Sequence, residues 1–299
     1  MSQENISKKI AVTGATGQLG KLVIDSLIAR GAAEADIVAV VRDPAKAAGL
    51  KDLGVDVREG NYTKPETLVA AFEGVAKVLL ISSNELGQRA VQHQNVIDAA
   101  KAAGVTLLAY TSILGAENSD LLLAVEHRET EAAILNSGIP YVFLRNGWYV
   151  ENYAPAAAQA ISSGTIYGSA GTGRVSVAAR SDLADGAAAV LVGDFKNTAF
   201  ELGGDDTVTL DELAEIISEI GNTKVVYADL SETEYAKALE AAGLPAAYAE
   251  IFANSDTGIR DGKLFTDSGD LSRLTGKASK AIKTSLETAL NTLSTHKSA

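Results

Sequence analysis

The sequence predicts an α/β protein: a doubly wound parallel sheet followed by a second, smaller α/β domain. Three observations carry this. Short apolar runs alternate with helix-patterned segments through the first half of the 299 residues. One run, Val78-Leu79-Leu80-Ile81, has no polar side, as a strand covered on both faces requires. Near residue 150 the rhythm breaks, and shorter strands with glycine turns replace it.

The elements follow in order. Ile10-Ala11-Val12 reads as a strand, and the turn Gly14-Ala15-Thr16-Gly17-Gln18-Leu19-Gly20 leads into a helix over 21–28. The second strand is 37–41. Asp43 before Pro44 has the form of an N-cap with proline at the first helical position, opening a short helix at 45–50. Strands at 55–58, 78–81, 105–110 and 139–145 alternate with helices at 65–72, 90–103 and 126–137. Gly104 and Gly138 stop the last two helices. Beyond 150 a helix is expected at 152–161. Short strands at 164–168 and 175–178 flank the glycine turn 170–173. Asp182 is expected to cap a helix reaching Val192, and 198–202 is a strand. Thr209 with Glu212 and Ser231 with Glu234 have capping-box spacing, with a strand at 225–227 between them. An amphipathic helix over 280–293 ends in a frayed tail, 294–299. Domains are therefore placed at 1–150 for a Rossmann-like nucleotide unit and 151–299 for a substrate domain bordering a cleft. Residues 181–204 could pack back on the first.

Composition bounds the partners. Apolar residues at 46% and charged residues at 21% fit a globular chain. A net charge of -12 excludes a general nucleic-acid or anionic-membrane surface. The absence of cysteine excludes disulfides, thiolate nucleophiles, Cys-bound zinc and iron–sulfur clusters. Met1 to Lys9 is polar without an apolar core, and no stretch is long and apolar enough to span a bilayer, so a cytoplasmic protein is expected. The three histidines share no metal-ligand spacing, and no metal site is expected. The oligomeric state is left open.

The glycine turn carries the chemistry. Glycines at intervals of three let the backbone turn tightly and approach a pyrophosphate, while the next helix offers its N–H groups and dipole. The spacing differs from the commoner G-x-G-x-x-G, but the strand–turn–helix context is the one a dinucleotide site needs. Just past the second strand, where a ribose-reading side chain belongs, stands Arg42. Arginine offers a planar fork of donors to a 2′-phosphate, whereas an acid would repel it. NADP(H) is therefore expected over NAD(H).

Several segments fall together in a familiar order: Gly14 through Gly20, Val41-Arg42-Asp43-Pro44-Ala45-Lys46, Leu79-Leu80-Ile81-Ser82-Ser83, Tyr110-Thr111-Ser112 and Glu126-His127. Leu144-Arg145-Asn146-Gly147-Trp148-Tyr149-Val150-Glu151-Asn152-Tyr153 and Leu264-Phe265-Thr266-Asp267 complete the series. The chain resembles the NmrA-like atypical short-chain dehydrogenases, and within them the bacterial type 2 NADPH:quinone oxidoreductases, from Ile10 to about Leu290. The resemblance implies NADPH bound without flavin or metal, and two-electron reduction of small quinones. It implies a cofactor site at Gly14, Ala15, Thr16, Gly17, Gln18, Leu19, Arg42, Ser82, Ser83, Asn146, Gly147, Trp148 and Tyr149.

Ordinary short-chain dehydrogenases pair a Tyr with a Lys four residues on. None of the nine tyrosines has that partner, and His127 and Glu131 stand where the pair should lie. The loss suits a quinone: hydride addition leaves a phenolate-like oxygen with pKa near ~10, which water or an imidazolium can protonate. The candidate catalytic residues are His127 as acid, Asn146 as hydrogen-bond donor and Tyr149 beside Trp148 in an aromatic slot. Structural alternatives stand beside these roles: His127 tied to Glu126 or Glu131, Asn146 capping a loop, Trp148 in a core or as an interdomain plug, and Ser82 and Ser83 capping a helix. Two other functions compete, a nucleotide-binding redox sensor of the NmrA type and an NADPH reductase of another activated substrate.

Overall fold

Short β-branched and apolar stretches build one parallel sheet. Its strands include β1 (Lys9–Thr13), β2 (Ile37–Val41), β3 (Asp56–Glu59), β4 (Val75–Leu80), β5 (Leu107–Ile113) and β6 (Tyr141–Asn146). With β10 (Thr198–Leu202) they form seven strands in the order β10-β6-β5-β4-β1-β2-β3. β1 pairs in parallel with both β2 and β4, placing Val12 between Ala39 and Leu79. The strand order reverses between β1 and β4, and in such sheets ligands bind outside the carboxyl ends of the strands at the reversal. The computed structural model describes residues 8–297, so the expectation for the first seven residues lies outside it.

Helices α1 (Gln18–Ala29), α2 (Ala48–Asp52), α3 (Pro65–Ala71), α4 (Arg89–Ala102), α5 (Leu122–Ser137) and α7 (Arg180–Val192) connect or follow these strands. Leu68 and Phe72 around α3, Val96 and Ile97 of α4 and Ile134 of α5 pack on Val38, Val40, Val78, Leu80 and Tyr110. Helices α1 and α7 add nothing to that cluster and are joined to each other by the Arg30–Asp185 ion pair at 2.6 Å. Asp43 caps the Ala45 amide at 3.0 Å ahead of Pro44.

The chain divides into two compact units. The first holds the described residues up to Ile113, with Glu126–Arg145 and Leu183–Phe200. The second holds Leu114–Val125, Asn146–Asp182 and the chain from Glu201. In the second, β7 (Trp148–Tyr149) leads through a 3-10 turn into α6 (Ala154–Ser163), followed by β8 (Thr165–Gly168) and β9 (Val175–Ala178). Further along come β11 (Thr207–Val208), α8 (Leu210–Gly221), β12 (Val226–Asp229), α9 (Glu232–Ala241), α10 (Ala246–Arg260), α11 (Asp270–Thr275) and α12 (Ile282–Lys297). Both capping boxes form as expected.

The short strands expected at 164–168 and 175–178 form as β8, which joins β12, and β9, which lies between β11 and β7, while two other local expectations, Asp182 as a cap and a frayed tail from 294, are corrected. The glycine stretch between them docks on α10, where Ser169 Oγ donates to the Ala253 carbonyl and a Cβ on Gly173 would sit 2.3 Å from the Ile259 oxygen. Asp182 lies inside α7, where its carboxylate accepts the Lys280 amide at 2.8 Å, and Glu151 holds the Arg180 amide at the helix start. Helix α12 continues to Lys297, with Ser294 and Thr295 hydroxyls donating to carbonyls four residues back; residues 298–299 lie outside the described chain.

Candidate active site

The glycine turn is built for close approach. Gly14 has φ +58, the left-handed region that favours glycine. Its carbonyl accepts the Gly17 amide at 2.9 Å, and the Ala15 amide reaches across to the Val40 carbonyl at 3.2 Å. A Cβ on Gly20 would lie 2.4 Å from the Gly14 oxygen and 2.8 Å from the Ala15 Cα, so the first turn of α1 can settle onto the loop only with glycine there. Gly17 is the N-cap of α1 and no side chain caps the helix. No acid occupies its first turn. Its first amides are therefore left to an anion.

A cavity of about 460 Å³ opens at this turn. Its wall includes Gly14, Thr16, Gly17, Gln18 and Leu19 from the turn, Arg42 after β2, and Ser82 and Ser83 after β4. These expected cofactor residues are thus brought together. Ala15 is fully buried beneath the turn and acts through its backbone. Arg42 is exposed and loosely paired with Glu85, Nη1 to Oε1 at 3.4 Å, leaving its fork open to a stronger anion.

The sequence reading missed several other walls: Gly60, Asn61 and Tyr62 after β3, Ile81, Asn84 and Glu85 after β4, and Gln92 of α4. The signal was available for most of them, because they directly follow the carboxyl ends of recognised strands. The Tyr62 hydroxyl lies 2.5 Å from Thr13 Oγ1 and 2.8 Å from the Ile81 carbonyl, with its single proton shared between these two acceptors, and its burial pushes the phenol pKa up.

His127 does not present an imidazolium. The ring is buried, with Nδ1 2.7 Å from the Tyr110 hydroxyl and Nε2 3.4 Å from an Arg89 guanidinium nitrogen. Burial foremost, with the Arg89 charge behind it, pushes its pKa well below the ordinary value. Neither neighbouring acid ties it. Glu126 accepts the Gly87 and Arg89 amides. Glu131 takes Ser112 Oγ at 2.6 Å and the fork of Arg145 at 3.0 and 2.7 Å. The place of the usual Tyr/Lys pair is filled by a structural network.

The segment 146–149 belongs to the second unit. Asn146 is buried, its Nδ2 is a long 3.5 Å from the Tyr149 hydroxyl, and its Oδ1 has no hydrogen-bond partner among the described residues. A buried amide oxygen without a donor is costly, and a ligand amide could relieve it. The Gly147 amide donates to the Leu202 carbonyl at 2.8 Å, and a Cβ there would lie 2.5 Å from the Ser176 oxygen. The Trp148 ring is largely buried, edge-on to Phe252 at 6.0 Å, so it serves the interior of this unit. Tyr149 carries the Arg180 guanidinium 4.7 Å above its ring. Among the described residues no cluster of three or more acids and histidines is placed to hold a metal, and no helix is long and apolar enough to cross a membrane.

Comparison with known proteins places the family of this chain. Residues 14–193 match the family model described as NAD(P)H-binding. The chain is 47% identical to Quinone oxidoreductase 2 of Escherichia coli over 94% of this chain and 99% of that protein. It superposes on the NADPH complex of the E. coli NADPH-dependent quinone oxidoreductase with a TM-score of 0.91, covering 93% and 99% of the two chains. It superposes on the NADP(H) complex of the Citrobacter triphenylmethane reductase with a TM-score of 0.87 at 41% identity, covering 94% and 100%. The chain therefore belongs to the NAD(P)H-binding family, among the relatives of the bacterial type 2 NADPH-dependent quinone oxidoreductases.

Proposed function

We propose that this protein is an NADPH-dependent reductase of small quinones. The observation that carries the reading is the glycine turn opening on a cavity walled by Arg42, together with 47% identity to a quinone oxidoreductase across nearly the whole chain. NADPH supplies the hydride when bound. The turn's amides and the start of α1 hold the diphosphate, Arg42 reads the 2′-phosphate, and Ser82 and Ser83 shape the wall beside them. Asn146 Oδ1, buried and without a donor among the described residues, is suited to accept a hydrogen bond from an amide N–H, and Gly147 lets its strand pack closely on the Ser176 and Leu202 carbonyls.

No side chain has to deliver a proton at the moment of hydride transfer. The reduced quinone oxygen takes its proton from water, since its conjugate acid titrates near ~10. A neutral, buried His127 is consistent with that chemistry, and we assign it a positioning role between Tyr110 and Arg89. The 41% identity to a triphenylmethane reductase favours a second acceptor class, cationic triarylmethane dyes, in which hydride addition needs no proton at all. NADPH oxidation followed at 340 nm with benzoquinone, menadione and a triarylmethane dye tests both. Turnover with a quinone is expected; inertness toward all quinones despite tight NADPH binding would reject the first reading.

A further inference from the structure

β4 ends at Leu80, and the sheet ladder that satisfies its amides ends with it. The next three residues line the cavity, and buried N–H groups need partners. Each amide is taken by a side chain from a different element. Ile81 N–H donates to Thr13 Oγ1 of β1 at 3.0 Å, and Ser82 N–H to Thr111 Oγ1 of β5 at 2.8 Å. Ser83 N–H donates to His93 Nε2 of α4 at 2.9 Å.

The third bond is the demanding one. A backbone amide can only donate, so His93 Nε2 carries the lone pair and the ring proton sits on Nδ1. The next contact agrees. Nδ1 lies 2.8 Å from Thr130 Oγ1, whose own proton goes to the Glu126 carbonyl at 2.8 Å. The relay therefore runs one way, from Ser83 through His93 and Thr130 to the backbone of α5. The ring is fully buried, edge-on to Tyr62 at 6.2 Å and Tyr110 at 5.5 Å. Burial and the nearby Arg89 charge hold it neutral, with its pKa lowered to about 3. Arg89 also secures the other side of Ser83, its Nε donating to the Ser83 carbonyl at 2.6 Å.

We infer that His93 is a positioning residue of the nucleotide site: its unprotonated Nε2 fixes the Ser83 amide and so holds the cavity wall at residues 81–85. In a trans peptide the Ser82 carbonyl must then point the opposite way from that amide. The inference rests on the NADPH-binding part of the proposed function and is independent of which acceptor is reduced.

Two variants of the full-length chain separate the roles of His93. His93→Phe keeps a ring and loses the acceptor; His93→Gln loses the ring and keeps an acceptor at about the reach of Nε2. NADPH titrated by calorimetry should bind His93→Phe about tenfold more weakly than the parent, as expected for a buried amide left unpaired. It should bind His93→Gln within about threefold, with kcat at saturating NADPH near the parent value in both. Parent-like affinity in His93→Phe, or equal losses in both variants, would overturn the inference, the latter by showing that ring packing is what matters. If His93→Phe does not fold, nitrogen NMR of the parent decides. An unprotonated Nε2 coupled through the hydrogen bond to the Ser83 amide sustains the inference, and a proton on Nε2 overturns it. Failure of the parent to bind NADPH would remove both this inference and the proposed function. Parent protein that binds NADPH yet reduces no quinone would remove only the acceptor, and the affinity comparison would still decide the role of His93.

Discussion

Each unit buries titratable groups that burial holds neutral, imidazoles in the first and a carboxyl in the second. Under the nucleotide cavity the first buries His93 and His127, both held neutral. The second buries Asp256, whose carboxyl is raised to about 7 by desolvation foremost, with the Asp229 charge adding to it. Ser169 N–H donates to Asp256 Oδ2 at 3.1 Å, Arg260 lowers its pKa in part, and its charge acts on Tyr153, Tyr227 and Tyr235 nearby. Burial disfavours charge in both places, yet it lowers one pKa and raises the other. The imidazoles are matched to donors and acceptors that need them neutral. The carboxyl holds one amide, and the hydroxyl of neighbouring Tyr153 has no partner among the described residues. The first unit uses burial to fix geometry at a ligand site; the second tolerates it at the cost of a pH-dependent strain.

The largest effect should come from matched glycine substitutions. In the first unit Gly20→Ala drives a methyl into the Gly14 carbonyl; in the second Gly173→Ala drives one into the Ile259 carbonyl. Both should lose about 2 kcal/mol or more of stability, because the opposing atoms are backbone and cannot rotate away. Only Gly20→Ala should also weaken NADPH by more than about tenfold. Comparable NADPH losses in both would erase the functional distinction between the units.

Next in size is cofactor choice. Arg42→Ala should weaken NADPH by about 10- to 100-fold and NADH by less than about threefold, since only the former presents a phosphate to the guanidinium. Equal losses in paired titrations would reject the 2′-phosphate role.

The pH response is smaller and has two signs. Unfolded histidine takes up a proton near 6.5, whereas His93 resists until about 3. Between these values the unfolded state binds more protons, so this contribution to stability is lost as pH falls from about 6.5 toward 3. Asp256 does the reverse. Its folded carboxyl keeps a proton up to about 7 while the unfolded one releases it near 3.8, so that contribution is lost as pH rises from about 4 to 7. Asp256→Asn should therefore raise Tm at pH 8 relative to the parent more than it does at pH 5. A difference independent of pH in thermal scans would show that Asp256 does not titrate in this window. Smallest of all is His127→Gln, expected to slow turnover by less than about tenfold while leaving the pH–rate profile between pH 6 and 8 unaltered. A lost limb in that profile would restore His127 as a proton donor.

The same contrast governs how much could be read in advance. The strands at 37–41 and 198–202 and the helix over 65–72 stand within a residue of expectation. Each is set by a local pattern of period and punctuation. The second unit was read less well. Its strands are two to four residues long and pair with distant partners, and α10 runs through Asn254, Ser255, Asp256, Thr257 and Gly258, residues of poor helix propensity. Tertiary contacts override propensity there: Ser255 and Thr257 hydroxyls bond back to carbonyls of the helix, and Gly258 gives way to Leu121. At the site, the turn and Arg42 were marked by their spacing after the first two strands, and Ser82 and Ser83 by the family resemblance. His93 was passed over because nothing in a helical sequence says which loop amide a side chain will meet.

The order of strands and helices around a glycine turn, and the arginine standing just past the second strand, follow from the chain by itself, because each depends on residues adjacent in sequence. The protonation states of its buried histidines and the burial of Trp148 were decided only by the tertiary structure. A pKa and a hydrogen-bond partner depend on what surrounds a group in space, and those surroundings come from segments many residues apart.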